Sequence, residues 1–370
     1  VALKVFDGLD HYSNPNTDLL TRSAGFLQWN VPSASALSAF VTGTDNVGTV
    51  LQFAGANLFP GSVRPLRAVW ADRNAEMYVG VRIKLPSASG SPNGIASGFW
   101  FTFVDTVAGA AQVTLNFDYT NYAIRCYRGD YSGTSLGISA NNAWPADAFV
   151  FVEFHIKIHA SAGIVNVRVN GNDVLNLTGQ NTKNTANAWA DATDFALQTS
   201  VLNGTSYAWM RDVYYCDTAT DSGSLPNNTF LGDVGTRTLF ATGDSSVAWT
   251  PNSGVNNYSR VNEHAMDSDT SYNSSANPGD EDQLNFGPIT NTVPLIYGLQ
   301  VTIAARKDDV GSRVIKTGLK SGGTTSYGAN HSVPSSYVYF TDLWVLDPNT
   351  SANWTRAAVN ALAGIYNLVS

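Results

Sequence analysis

The residues able to do chemistry are few, and most of them fall on runs of alternating hydrophobicity. Along Phe149 to His159, Glu153, His155 and Lys157 occupy one side of a strand whose other side is Val150, Val152, Phe154, Ile156 and Ile158. A glycosidase needs two carboxyl groups about 5–10 Å apart, one acting as acid and the other as base or nucleophile. This face offers one, so Glu153 reads as a solvated or salt-bridged face residue. His155 and His159 are four apart, a spacing that would pair them for zinc on a helix. On a strand the same spacing separates them by about 13 Å. No Cys-x-x-Cys pair occurs, and no nucleophile has an evident base. The chain reads as non-enzymatic, with no catalytic residues.

Acidic clusters are the better metal candidates. Asp267-Ser-Asp269-Thr-Ser271 offers oxygens at alternate positions, and Asp280-Glu281-Asp282 brings three carboxylates after a Pro-Gly turn. These suit a loop-bound calcium. A plain solvated acidic loop, with Asp residues serving as turn formers, is the preferred reading and calcium the second. No other cofactor is implied.

Sugar binding asks only for an aromatic platform and a few hydrogen-bonding neighbours. The same parity puts Phe99, Phe101 and Phe103 inward and Trp100 and Thr102 outward; Leu115, Phe117 and Tyr119 are then core, and Asn116 and Asp118 exposed. Arg125 and Tyr127 alternate with Ile124 and Cys126. If these strands share a sheet, Trp100, Asn116, Asp118, Arg125, Tyr127, Glu153, His155 and Arg168 line one face. That face is a glycan site, a subunit contact or bare surface.

The elements that must position these groups are strands. After Ile158, the small residues of His159-Ala-Ser-Ala-Gly163 turn the chain into a second alternating run, Val165, Val167 and Val169, which Asn170-Gly171 turns again. Further strand signals lie at Met77–Leu85, Gly98–Val104, Ala111–Tyr119, Ala123–Tyr127, Phe195–Thr199 and Tyr207–Cys216, separated by turn clusters such as Pro86–Gly94. Asp217 to Thr229 is polar and rich in turn formers, and β-type patterning resumes in Leu295–Arg306 and Tyr337–Leu346. The expectation is an all-β chain of two antiparallel β-sandwich domains of jelly-roll type, residues 1–217 and 230–370, joined by a linker at 218–229. One short helix is expected in Asn353–Gly364, capped by Asn353 or Thr355 and stopped at Gly364, with Ile365–Val369 returning as an edge strand.

Composition narrows the function classes. The chain has 370 residues, 44% hydrophobic, yet only 14% are charged, against roughly 25% in typical soluble domains. Ser, Thr, Asn and Gly take that surface, as suits a rigid β protein or one partly covered by other subunits. A net charge of −8 and the lack of any basic run exclude electrostatic attraction to nucleic acid. No stretch is long enough to span a membrane, and the first residues lack the pattern of a signal peptide. Cys126 and Cys216 read as buried thiols, with a disulfide between them as the alternative. Asp212-Val-Tyr-Tyr-Cys-Asp217 and Asp342-Leu-Trp-Val-Leu-Asp347 echo one another, each a hydrophobic strand bracketed by aspartates.

With these segments laid out, the chain resembles a family of tailed-bacteriophage and prophage virion proteins carrying an N-terminal laminin G-like, concanavalin A-like domain. The matching segments are Val5-Phe-Asp-Gly-Leu-Asp-His-Tyr12, Val152 to Gly163, Val167 to Gly171 and Val174 to Gly179. In the second half they are Asn228 to Val234, Asp267 to Tyr272, Ala305 to Asp309 and Trp354 to Leu362. The resemblance implies a non-enzymatic protein on the virion exterior, as head decoration, head fibre or tail appendage. Such a protein stabilises the particle or contacts the host surface. Its implied partners are other virion proteins and further copies of itself, with a host-surface glycan if it serves instead as a carbohydrate-binding receptor-recognition module. Assembly in the host cytoplasm requires no signal peptide. A glycan-cleaving enzyme is the least favoured reading.

Overall fold

The computed structural model describes residues 3–12, 18–19, 27–30, 37–42, 49–54, 66–87, 98–198, 207–219, 227–264 and 266–370. Up to residue 217 the strands are β1 (Leu3–Asp7), β2 (Leu27–Asn30), β3 (Leu37–Thr42), β4 (Thr49–Ala54) and β5 (Leu66–Asn74). They continue with β6 (Glu76–Lys84), β7 (Gly98–Asp105), β8 (Ala110–Asp118), β9 (Ala123–Arg128) and β10 (Thr134–Ile138). Then come β11 (Phe149–Lys157), β12 (Gly163–Val169), β13 (Asn172–Gln180), β14 (Ala190–Gln198) and β15 (Tyr207–Asp217). Most of the Pro86–Gly94 turn, residue 199 and the middle of the expected linker lie outside the described residues.

These strands form two antiparallel sheets. The first runs β13-β12-β11-β6-β15-β4-β3 with β1 beside β15, and the second β10-β9-β8-β7-β14-β5-β2. Period-2 alternation builds the space between them: Val150, Val152, Phe154 and Ile156 of the first sheet and Phe99, Phe101, Phe103, Leu115 and Phe117 of the second join one buried cluster. The rings of Phe101 and Phe154 meet across it at 4.6 Å between centroids. Burying each such ring stabilises the sandwich by about 1.5–3 kcal/mol. Phe101→Ala would leave a hole costing about 3–5 kcal/mol.

The meander β11–β12–β13, at one end of the first sheet, forms as its sequence predicts. His159 Nδ1 accepts from the backbone N–H of Ser161 and Ala162, at 3.0 and 2.8 Å, and closes the first turn. Asn170 and Gly171 take φ of 49° and 78°, the paired left-handed conformation that an Asn-Gly hairpin turn requires. One irregularity breaks the alternation in β15. Between Arg211, opposite Arg82, and Tyr214, opposite Gly80, β15 carries one extra residue, and Asp212 sits there at φ 52°. This bulge reverses the parity of the strand. Met210, Val213 and Tyr215 reach the inter-sheet core, while Tyr214 and Cys216 join a separate cluster with Leu3, Phe151 and Leu231. Cys126 lies in the inter-sheet core, so the two cysteines are free, buried and on different sheets. Burial pushes the Cys126 thiol up, which keeps it inert.

After residue 240 the strands are β16 (Ala241–Ser246), β17 (Thr250–Pro251), β18 (Asn273–Ser274), β19 (Glu281–Phe286), β20 (Leu299–Ala305) and β21 (Val314–Ser321). The rest are β22 (Thr324–Tyr327), β23 (His331–Ser332), β24 (Val338–Trp344), β25 (Leu346–Asp347), β26 (Ala352–Asn353) and β27 (Ala363–Leu368). A sheet ordered β16-β19-β27-β21-β22, with β23 against β21, packs beneath the two-stranded ladder β20–β24. Two expectations change here. The C-terminal strand is central, between β19 and β21, and not an edge. The helix α1 (Arg356–Ala361) is shorter than expected: Thr355 caps it, its Oγ1 accepting from Ala358 N–H at 3.1 Å, and it ends before Gly364. Gly364 serves packing, since a Cβ there would lie 2.6 Å from Phe286 Cε2.

The whole is all-β, with α1 the one α-helix among the fully described elements. No described helix is long and apolar enough to cross a membrane. The ladder β20–β24 has two working faces. Leu299, Val301 and Ile303 turn to the sheet below, while Tyr339 joins the first sandwich's core cluster and donates to His11 O and Asp18 Oδ2, both at 3.2 Å. Even the echoed aspartates have matching local work: Asp217 and Asp347 each accept from the backbone N–H two residues on, at Ala219 and Asn349.

Candidate functional site

The eight expected face residues divide between two sheets on opposite sides of the sandwich. Glu153, His155 and Arg168 belong to β11 and β12 of the first; Trp100, Asn116, Asp118, Arg125 and Tyr127 belong to β7, β8 and β9 of the second. Parity along a strand says which residues share its side, but not which sheet the strand joins. A single eight-residue face is therefore corrected to two faces.

The outer face of the first sheet is covered by the protein's own chain. Glu153 is 1% exposed, neither solvated nor salt-bridged. Its Oε1 accepts from Tyr214 OH at 2.6 Å and from Gly232 N–H at 2.8 Å, and Leu231 N–H donates to the same phenol at 3.2 Å. His155 stacks on Tyr78 with ring centroids 4.2 Å apart, and Phe230 stands edge-on against both rings. Arg168 places its guanidinium 4.1 Å over the Phe230 ring and pairs with Asp173 at 2.7 Å. Further along, Arg82 bonds Asp212 at 3.0 Å and also Asp233, and Asp212 accepts from Thr236 N–H at 2.9 Å. Residues 230–236, expected to open the second domain, thus form a strap across β6, β11, β12 and β15.

Burial holds the His155 imidazole below its usual range, although Glu76 Oε1 lies 2.8 Å from its Nε2 and favours the charged form. Burial alone would raise the Glu76 carboxyl. Hydrogen bonds from Lys157 and His155 bring it below the ordinary value instead. What this face does chemically is hold the strap.

On the second sheet, cross-strand register lines up Trp100, Asn116 and Arg125 in one row and Thr102, Thr114 and Tyr127 in the next. Arg125 Nε donates to Asp118 Oδ2 at 3.0 Å, and Thr114 Oγ1 lies 3.2 Å from Thr102 Oγ1. Trp100, Asn116, Asp118 and Tyr127 are buried, where the sequence predicts exposure. The ring of Tyr131 stands edge-on to Trp100 at 5.5 Å, and Trp100 Nε1 is buried with no hydrogen-bond partner. The row opens to solvent at Arg125 and then at Ile138, which is 48% exposed. Sequence reasoning missed Arg67 and Asp194, a bidentate pair at 2.6 and 3.0 Å on the same sheet. Asp194 lies one residue before the strand signal at Phe195; no signal marked β5.

The five carboxylates read as candidates for calcium do not converge. Asp282 is fully buried and accepts from the N–H groups of Ala248 and Trp249, from Asn257 Nδ2 and from Tyr366 OH, at 2.5–2.9 Å. Its neighbour on the strand, Glu281, accepts from Tyr327 OH at 2.6 Å on the opposite face, and the bond pushes that phenol up to about 12. Asp280 accepts from Ser275, Asp267 from Ser271, and Asp269 from Arg306 and Tyr337. Among the described residues no cluster of three or more His, Cys, Asp or Glu is placed to hold a metal ion. Each of the five accepts from protein donors, and Glu281 and Asp282 stand on a strand, Asp282 fully buried, where the sequence favours a solvated loop.

No family model and no curated protein matches the sequence. Among solved structures, the chain is similar to a protein of unknown function with a galectin-like fold from Bacillus subtilis, at 10% identity over 58% of this chain and 96% of that one, TM-score 0.37. It is similar to a winged bean acidic lectin complexed with methyl-α-D-galactose, at 10% identity over 57% and 97%, TM-score 0.37. It is also similar to a carbohydrate-binding module from Bacillus subtilis, at 6% identity over 53% and 98%, TM-score 0.33. At these scores the likenesses carry no argument about what this chain binds.

The expectation that the chain holds no Gly-x-Ser-x-Gly pattern is corrected by the sequence itself. Gly133-Thr-Ser-Leu-Gly137 has the spacing of a nucleophile elbow, but Ser135 lies on the edge strand β10 and not on a strand-to-helix turn. The context that would activate the serine is missing.

Proposed function

We propose that this is a non-enzymatic recognition protein that binds glycan on the outer face of the second sheet, around Arg125 and Tyr127, and that it does so as part of a virion exterior. One observation carries the reading: an indole with an unpartnered Nε1, an amide, an arginine–aspartate pair and a tyrosine stand side by side, and the row opens to solvent at one end. Sugar recognition uses fixed hydrogen-bonding groups beside an aromatic side chain. In this set Arg125 is the member that reaches solvent, with Trp100, Asn116, Asp118 and Tyr127 buried behind it. The virion placement, the homo-oligomer and the division into domains at 1–217 and 230–370 rest on the sequence resemblance and patterning.

A non-catalytic role is favoured by the state of Glu153, which is buried, has its Oε1 held by Tyr214 and the strap and its Oε2 without a hydrogen-bond partner, and has no second carboxylate beside it on its strand. The test is a glycan array probed with the protein and with Tyr127→Ala. Binding to a restricted set of glycans that Tyr127→Ala loses supports the proposal; an array with no bound glycan refutes it. Antibody labelling of purified particles tests the virion placement, and unlabelled particles would sink that part alone.

A further inference from the structure

Between β1 and the ladder β20–β24 lies a cleft of about 210 Å³. It interrupts a contact that is otherwise packed. At one end Tyr12 and Tyr339 meet edge to face at 5.4 Å, and at the other Phe6 and Leu343 join the apolar cluster around Tyr214. Gln300 and Thr341 line the wall contributed by the ladder, and Lys4 lines the opposite wall.

The charges around the cleft are already matched. Lys4 pairs with Asp217 at 2.9 Å and Asp72 at 3.3 Å. Asp7 accepts from Leu9 N–H, Tyr12 OH and Trp29 Nε1, and Asp342 from Thr317, Ala329 N–H and His331. Neither an anion nor a cation gains a free counter-charge there. Gln300 Oε1, by contrast, is buried with no hydrogen-bond partner, a state that costs free energy unless a donor fills it. Thr341 Oγ1 adds a hydroxyl 3.1 Å from Thr302 Oγ1, which is able to accept or donate.

We propose that this cleft binds one neutral sugar ring, an apolar ring face against the aromatic end and a hydroxyl donating to Gln300 Oε1. The volume is below the roughly 300–1,000 Å³ of pockets for drug-sized ligands, which restricts the occupant to a single ring. Because the two walls come from residues 4–12 and 300–343, the ligand clamps the ladder to the first sandwich. This site is independent of the sheet face around Arg125.

The experiment is saturation-transfer NMR with glucose, galactose, mannose, fucose and N-acetylglucosamine, on the wild type, Gln300→Leu, Thr341→Val and Arg125→Ala. At least one sugar should bind at the cleft of the wild type, keep that binding in Arg125→Ala whatever the sheet face loses, and raise the Tm of both. Gln300→Leu removes an acceptor that has no protein partner, so it should fold as the wild type does and bind about tenfold more weakly. Thr341→Val supplies the same reading should Gln300→Leu fail to fold. No binding by the wild type, or full binding by the folded cleft variants, overturns the proposal. Loss of binding in Arg125→Ala alone would assign the sugar to the sheet face and also overturn it.

Discussion

The ring of Tyr214 fills the space a side chain on Gly80 would need: a Cβ there would lie 2.0 Å from Tyr214 Cε1. The bare backbone of β6 lets the phenol lie flat and reach Glu153, and the bulge at Asp212 turns Tyr214 to that side. Glycine, bulge, phenol and carboxylate together make the seat for the strap. Gly80→Ala should therefore destabilise the protein by about 1–3 kcal/mol or more, through overpacking next to a rigid ring. Thermal denaturation reads this directly, and an unchanged Tm would contradict the packing.

Arg82 ties the bulge to the strap through Asp212 and Asp233. Arg82→Ala removes the nearer of the two cations on the nearly buried Asp212, Arg211 remaining at 3.4 Å, and should cost about 1–3 kcal/mol. Hydrogen exchange should rise at the backbone N–H groups of residues 231–236 more than in β8. Uniform exchange across both regions would argue against a strap.

His155 makes stability depend on pH. Its imidazole titrates below the usual range when folded and near 6.5 when unfolded, so the unfolded chain binds the proton first. Stability at this site is complete above about pH 6.5 and falls as pH drops toward the folded value, by at most about 1.4 kcal/mol per pH unit. Glu76, Lys157 and Arg168 are the charged groups around the ring, and Glu76 titrates in a lower window. His155→Phe keeps a ring against Tyr78 and should flatten the Tm profile between pH 5 and 7. A profile that keeps its slope would place the titration elsewhere.

Calcium should have no effect. Asp267, Asp269, Asp280, Glu281 and Asp282 already accept from protein donors. Tm should be the same in a chelator and in millimolar calcium, and a calcium-dependent rise of several degrees would contradict that assignment.

Much of the fold was legible because half-buried strands write their burial into period-2 alternation. Val150 to Ile158 and Phe99 to Phe103 are core as their spacing predicts. What alternation cannot carry is non-local. The pairing of β11 with β6, the crossing of Trp100 and Glu153 to opposite sheets, and the burial of Glu153 under Gly232 each join segments far apart in sequence. The Asp212 bulge is a local break whose sign in the sequence is one aspartate among many. The acidic runs misled for a similar reason: Asp282 looks like a free ligand until the N–H groups of Ala248 and Trp249 are found on it. Short strands such as β2, β4 and β10 have too few residues for a period to show.

The central claim is that recognition belongs to the second sheet and strap-holding to the first, and two arginines separate the roles. Titration calorimetry of a glycan identified on the array should compare the wild type with Arg125→Ala and Arg168→Ala. The account predicts that Arg125→Ala weakens binding by about tenfold or more while Arg168→Ala leaves the affinity unchanged. Loss of affinity in Arg168→Ala with none in Arg125→Ala would contradict it.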